Sequence, residues 1–278
     1  MSVMAMISAH RCGAGADLAL GNGRAALERA LQLDVDFVEF DVQLCGDDTF
    51  VLHHDDHIVA DGERILLTSL TFDEFASLVD DPITFKQALE ILQRSDKKAH
   101  IDFKFSTGDG ETEDPEARTE VAAARLAIDT LGCENFIITT LEDDSVRALR
   151  DWSDHQDIAL MVGLSLGRDL VGYSPIDKVV IRMSELFPSR RFRESRANLV
   201  VVHHRLAYFG VAEWAARRSL PLLVWTVDGQ ARLSRWLFDE RVWLVTTNFP
   251  QDARRIIESG VGSRRSSTSR RRFRSASS

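Results

Sequence analysis

From residue 4 to residue 260, short apolar runs alternate with stretches whose apolar residues recur at about 3.6-residue spacing. The runs MAMISAH (4–10), FVEFDVQL (37–44), KAHIDFKF (98–105) and ENFIITTL (134–141) read as strands, and so do IALMVGLSL (158–166), NLVVVHHRL (198–206), PLLVWTVD (221–228) and VWLVTTN (242–248). Helical patterns lie between them at 23–33, 84–95, 115–132, 143–152, 175–187, 189–196, 211–219 and 230–240, and another follows at 251–260. Eight strand–helix units over about 250 residues predict an α/β fold, a (β/α)8 TIM barrel formed as a single domain over residues 1–260. FVLHHD (50–55) adds a short strand or loop inside the second unit. No repeat or linker divides this region.

The second strand breaks its own pattern. Side chains alternate faces along a strand, so Val38, Phe40, Val42 and Leu44 share one face and Glu39 and Asp41 the other. On the third strand His100, Asp102 and Lys104 share a face opposite Ile101, Phe103 and Phe105. His10 and Arg11 end the first strand, Trp225 and Thr226 the seventh, and Thr246 and Asn248 the eighth. Barrel active sites lie at the C-terminal strand ends, so these residues form the candidate site. His203 and His204 near the end of strand six are further pocket candidates, whereas His100 sits too early in its strand and reads as structural.

Composition fits a globular protein with a sizeable core: 278 residues, 44% hydrophobic and 28% charged. The net charge of −9 gives the barrel no pull toward nucleic acid. Segment 261–278 differs, with six arginines, many serines and no acid, so without it residues 1–260 carry −15. Such a segment buries no core and is expected to be a disordered Arg/Ser-rich tail, able at most to touch anionic membrane weakly. Cys12, Cys45 and Cys133 have no paired spacing and read as free thiols. With no signal peptide and no run of about 20 apolar residues, a cytoplasmic location is expected.

Three carboxylates facing one cavity suit a hard divalent cation, Mg²⁺ or Ca²⁺, and the sequence does not choose between them. Zinc fits less well, because no HxH or CxxC spacing supports a closed site. Arg11 and Lys104 add the positive charge that a phosphoryl substrate needs. His10 and His54 can serve as general base and acid near neutral pH, with His54 favoured over His53 by its pairing with Asp55. Together these groups point to metal-assisted cleavage of a phosphodiester.

AHR (9–11), Asn22, EFD (39–41) and HD (54–55) resemble the HR…ExD…HD signature of the glycerophosphodiester phosphodiesterases. The resemblance extends through DFK (102–104) and WT (225–226) to TNFP (247–250). It implies a TIM barrel with one divalent cation on Glu39, Asp41 and Asp102. It further implies His10 and His54 as the acid–base pair, and Arg11 and Lys104 on the phosphate; Trp225 and Asn248, at their strand ends, are read as further substrate or phosphate contacts. The reaction implied is hydrolysis of a glycerophosphodiester to glycerol 3-phosphate and an alcohol, in glycerophospholipid metabolism. Some features depart from the family: Asp102-x-Lys104 replaces Glu-x-Lys, GNG (21–23) keeps only Asn22 of Glu-Asn-Thr, and Asn248 stands for Asp in TDxP. Asp102, Trp225 and Asn248 resemble the sphingomyelinase D branch, so a phospholipase D-like lyase that forms a cyclic phosphate from a lysolipid is the alternative. A weakened barrel that only binds a phosphorylated ligand is the alternative from another class.

Overall fold

The computed structural model describes residues 4–107 and 114–260; the expected tail, 261–278, lies outside the described residues. The strands are β1 (Met6–Ala9), β2 (Phe37–Leu44), β3 (Phe50–Leu52), β4 (His57–Ala60), β5 (Glu63–Leu66), β6 (Lys98–Phe103), β7 (Phe136–Thr140), β8 (Val162–Leu166), β9 (Leu199–His203), β10 (Leu222–Trp225) and β11 (Leu244–Thr247). Eight of them, β1-β2-β6-β7-β8-β9-β10-β11, pair in parallel and close when β11 pairs with β1. These are the eight strands that the apolar runs predict. β3 returns antiparallel along the end of β2 and brings residues 53–55 back over the barrel mouth.

The helices are α1 (Arg24–Ala30), α2 (Phe72–Leu78), α3 (Phe85–Leu92), α4 (Thr119–Leu131), α5 (Asp143–His155), α6 (Pro175–Leu186), α7 (Ser189–Ser195), α8 (His204–Leu206), α9 (Ala212–Ala216) and α10 (Gln230–Leu237). Residues 250–260 are also helical. The pattern predicted one helix over 115–132, but residues 115–117 form a separate 3-10 turn and Arg118 is extended, so α4 begins at Thr119. Two elements went unread between 57 and 78. One is the β4–β5 hairpin, turned at Asp61-Gly62 with φ of 52° and 82°. The other is α2, which opens with a capping box of Thr71 and Glu74.

Alternation along the barrel strands sorts the core into two layers. Val38, Phe40, Val42, Ile101 and Ile138 point outward and pack in one apolar cluster with Leu89, Val121 and Leu149 of the helices. Phe37, Ile137, Leu199, Val201, Leu223 and Leu244 point inward and fill the barrel floor. Space there is tight: a Cβ on Gly163 would sit 2.5 Å from Val201 Cγ2, so only glycine lets β8 close against β9. The inward positions above this floor are polar, and they lie toward the C-terminal strand ends.

Candidate active site

Register places the acids side by side. Glu39 pairs with His100 and Asp41 with Asp102 across β2 and β6, and Asp102 pairs in turn with Thr139 on β7. Ligand atoms of Glu39, Asp41 and Asp102 all lie within 4.8 Å of one another. Lys104 Nζ bonds Asp41 Oδ1 at 3.0 Å and also bonds Asp102 Oδ2. Asn22 grips Asp41 twice: its Nδ2 donates to Oδ2 at 2.8 Å and its Oδ1 accepts the Asp41 N–H at 3.0 Å. Burial works to raise the Asp41 carboxyl, but Lys104, His54, Arg11 and His10 together hold it well below the usual carboxylate range.

Glu39 is compensated less. Its Oε2 accepts the Arg11 backbone N–H at 2.5 Å, and its ion-pair neighbour is His10 Nε2 at 4.0 Å. Burial, followed by the charges of Asp41 and Asp102, pushes its carboxyl well above the ordinary range. A hard divalent cation fits this donor set of three oxygen ligands, because it would supply the charge that Glu39 lacks.

The chain leaves β1 through a left-handed turn, with φ of 45° at Arg11 and 57° at Cys12, which aims the Arg11 N–H at Glu39. Gly21 closes over this turn; a Cβ there would sit 2.7 Å from Arg11 Cβ. The Arg11 Nε is 3.3 Å from Asp41 Oδ2 but not aligned for a hydrogen bond.

His10 Nδ1 is 2.7 Å from Asn248 Oδ1. Asn248 Nδ2 donates to Asp228 Oδ2 at 2.7 Å, and its backbone N–H donates to Asp228 Oδ1 at 3.0 Å. Because the amide donates to Asp228, its oxygen is left to accept from His10 Nδ1–H, so the free lone pair falls on Nε2. Burial lowers the pKa of His10, with Asp41 and the Asn248 bond pulling the other way. The sequence reading set Asn248 on the phosphate; here both ends of its amide are engaged by protein groups.

A cavity of about 230 Å³ is lined by His10, Arg11, Glu39, His54, Asp102 and Lys104, together with Trp225 and Thr246. Three donors of these lining residues are buried and make no hydrogen bond: Arg11 Nε, Trp225 Nε1 and Thr246 Oγ1. His54 sits at the rim, half exposed, with Nδ1 held by Asp55 Oδ1 at 2.6 Å. His53 turns away, its Nε2 on the His57 carbonyl at 3.3 Å. Of the other histidines, His204 Nδ1 bonds the Thr226 carbonyl at 2.9 Å, whereas His203 lines an outer groove of about 930 Å³ that His54, Lys104 and Trp225 share with the inner cavity. His100 is a buried joint, bonding Ser8 Oγ and Thr139 Oγ1, each at 3.1 Å. Sequence reasoning missed Asp228 and Thr139. Thr139 donates to Asp102 Oδ1 at 2.5 Å, and its inward strand position was the available signal.

A parallel eight-stranded barrel with acids, two histidines, an arginine and a lysine at its C-terminal mouth defines a barrel hydrolase for anionic substrates. The chain matches the glycerophosphoryl diester phosphodiesterase family over residues 10–252 and belongs to that family, a class of phosphoric diester hydrolases. Three solved structures share its fold. A glycerophosphodiester phosphodiesterase from Parabacteroides distasonis is 20% identical and has a TM-score of 0.68, covering 94% of this chain and 100% of that one. One from Agrobacterium tumefaciens is 17% identical with a TM-score of 0.62, covering 90% and 99%. A phosphodiesterase from Oleispira antarctica, in complex with the product sn-glycerol-3-phosphate, is 15% identical with a TM-score of 0.68, covering 92% and 97%. No curated protein matches the sequence.

Proposed function

We propose that the chain hydrolyses glycerophosphodiesters to glycerol 3-phosphate and an alcohol, with a divalent cation, Mg²⁺ or Ca²⁺, held by Glu39, Asp41 and Asp102. The observation that carries this reading is the shared cavity: an under-compensated acid cluster with the cationic side chains of Arg11 and Lys104 beside it. When bound, the cation would offset the acids and polarise phosphoryl oxygens. Arg11 and Lys104 hold the phosphate charge, and Trp225 closes the side of the pocket.

His10 Nε2, free to accept, takes the proton from the glycerol hydroxyl next to the phosphodiester as that oxygen bonds phosphorus. The bond from phosphorus to the alcohol oxygen breaks, and His54 at the open rim gives that oxygen a proton. The cyclic phosphate is then opened by water with the two roles reversed. Asn248 acts here as a positioning residue, keeping the His10 proton on Nδ1, and Asp228 orients Asn248.

Phosphorus NMR on glycerophosphocholine, with Mg²⁺ or with EDTA, tests the proposal. A glycerol 3-phosphate signal that EDTA abolishes is expected. A cyclic phosphate that persists would replace the hydrolase with the lyase, and no product under either condition would overturn both.

A further inference from the structure

α6 lies in the connection between β8 and α7, on the catalytic side of the barrel, and α7 rather than α6 packs into the helix ring. Phe192 of α7 is buried and meets Trp214 edge to face at 4.9 Å. Only Glu185 of α6 is buried, and its carboxylate accepts the Gly167 and Arg168 N–H groups at 2.7 and 2.8 Å, pinning the helix to the end of β8.

The apolar stripe of α6 faces water. Ile176, Val179, Val180 and Phe187 are 75%, 62%, 61% and 69% exposed, and Met183 lies among them. Their spacing of three to four residues sets all five on one side of the helix. Val171 (83% exposed) and Phe209 (76%) extend the apolar surface on neighbouring loops. Contiguous exposed apolar surface of this kind marks an interaction site.

The opposite edge of α6 brings Lys178 and Arg182 to the outer groove, where they meet Arg168, Arg205 and Asp169; Arg182 is paired with Glu185 and Arg168 with Glu142. Among the described residues neither Lys178 nor Arg205 forms an ion pair. This cationic rim stands out on a chain of net charge −9. An apolar stripe beside a cationic edge is the arrangement that lies flat in a membrane interface, with apolar side chains among the acyl chains and basic ones at the phosphates. A second copy laid on the same face would instead bring cationic rim toward cationic rim.

We infer that the outward face of α6 docks the protein on an anionic lipid bilayer. Docking there puts the mouth of the groove, and through it the inner cavity, against the phosphodiester headgroups of that surface. What the docked site does rests on the phosphodiesterase reading; the docking itself does not.

The test is co-sedimentation of the full chain with vesicles of phosphatidylcholine alone and of phosphatidylcholine with phosphatidylglycerol, beside the variant I176S/V179S/M183S. Hydrolysis of soluble glycerophosphocholine is measured on both proteins. The wild type should sediment with the anionic vesicles, and the variant should partition about tenfold less or weaker still, with unchanged hydrolysis of the soluble diester. Three results would overturn the inference: no wild-type binding, equal binding by the variant, as when the arginine-rich 264–274 segment alone holds the membrane, or a wild-type dimer that the variant breaks. Failure of the phosphodiesterase reading shows separately, as absence of glycerophosphocholine hydrolysis by both proteins.

Discussion

Replacing Glu39 by glutamine keeps the shape of the side chain and an oxygen for the Arg11 N–H, while removing one charge from a cluster of three acids. Glu39 is buried, and its carboxyl is pushed up first by burial and then by Asp41 and Asp102. Removing an uncompensated buried charge should therefore stabilise the metal-free protein by about 1–2 kcal/mol. For a chain of this size that is a rise of roughly 2–8 °C in Tm. The sign follows from linkage: a carboxyl raised on folding contributes stability below its unfolded pKa and loses it as pH rises. The advantage of Glu39→Gln should accordingly vanish near pH ~4 and grow toward neutrality.

Added cation reverses the order. A ligand at about 100 times its Kd stabilises by about 2.7 kcal/mol, and the wild type gains this while the variant gains little. Thermal unfolding of both proteins in EDTA and in saturating Mg²⁺ or Ca²⁺ reads the two effects. Hydrolysis should fall in the variant by about a hundredfold or more. A lower Tm for Glu39→Gln in EDTA, or an equal gain by both proteins on adding cation, would refute the electrostatic account of the site.

Asn248→Ala should lower kcat about 10- to 100-fold with KM nearly unchanged, since Asn248 touches His10 and not the cavity. Its bond raises the His10 pKa, so the acid limb of the pH–rate profile should also move to lower pH; a rise in KM alone would return Asn248 to the phosphate. Glu120→Gln tests the scaffold: the buried carboxylate accepts the Thr107 N–H and hydroxyl at 2.9 and 2.7 Å and the Ser145 hydroxyl at 2.7 Å. Urea unfolding at neutral pH should show a loss of about 2–4 kcal/mol, because an amide N–H then faces other donors. Burial works to raise the Glu120 carboxyl, but the Thr107 and Ser145 bonds hold it below its usual value. Its contribution in the wild type is therefore present at neutral pH and lost as pH falls through the acid range, so the gap between the two proteins should narrow there.

The barrel was legible because strand alternation writes the two core layers directly into the sequence. Glu39 and Asp41 interrupt the inward layer that Phe37 begins, and the same period placed Asp102 and Lys104 beside them. The hairpin at 57–66 had a signal in Asp61-Gly62, the pair that suits two consecutive left-handed residues. Sequence reading makes Asn248 a substrate contact because a side chain at a strand end can reach either the cavity or the first strand, and its bond to His10 appears only once β11 closes on β1. α6 carries another ambiguity. Its apolar spacing is that of any core-facing helix, and periodicity states that a face exists without stating which way it turns.

The site divides its charges by partner. Lys104 is shared by Asp41 and Asp102, and Asn22 saturates Asp41 further, so both acids are held in place by the protein itself and Asp41 is held ionised. Glu39 has no comparable cation beside it, and it is the acid whose charge the fold leaves to be balanced from outside. Trp225 Nε1 and Thr246 Oγ1 are the converse, buried donors of cavity-lining residues without a protein acceptor. A buried acid lacking a cation and buried donors lacking an anion are each costly alone. In the reading proposed above, a divalent cation would offset Glu39, the acid whose charge the neighbouring groups balance least.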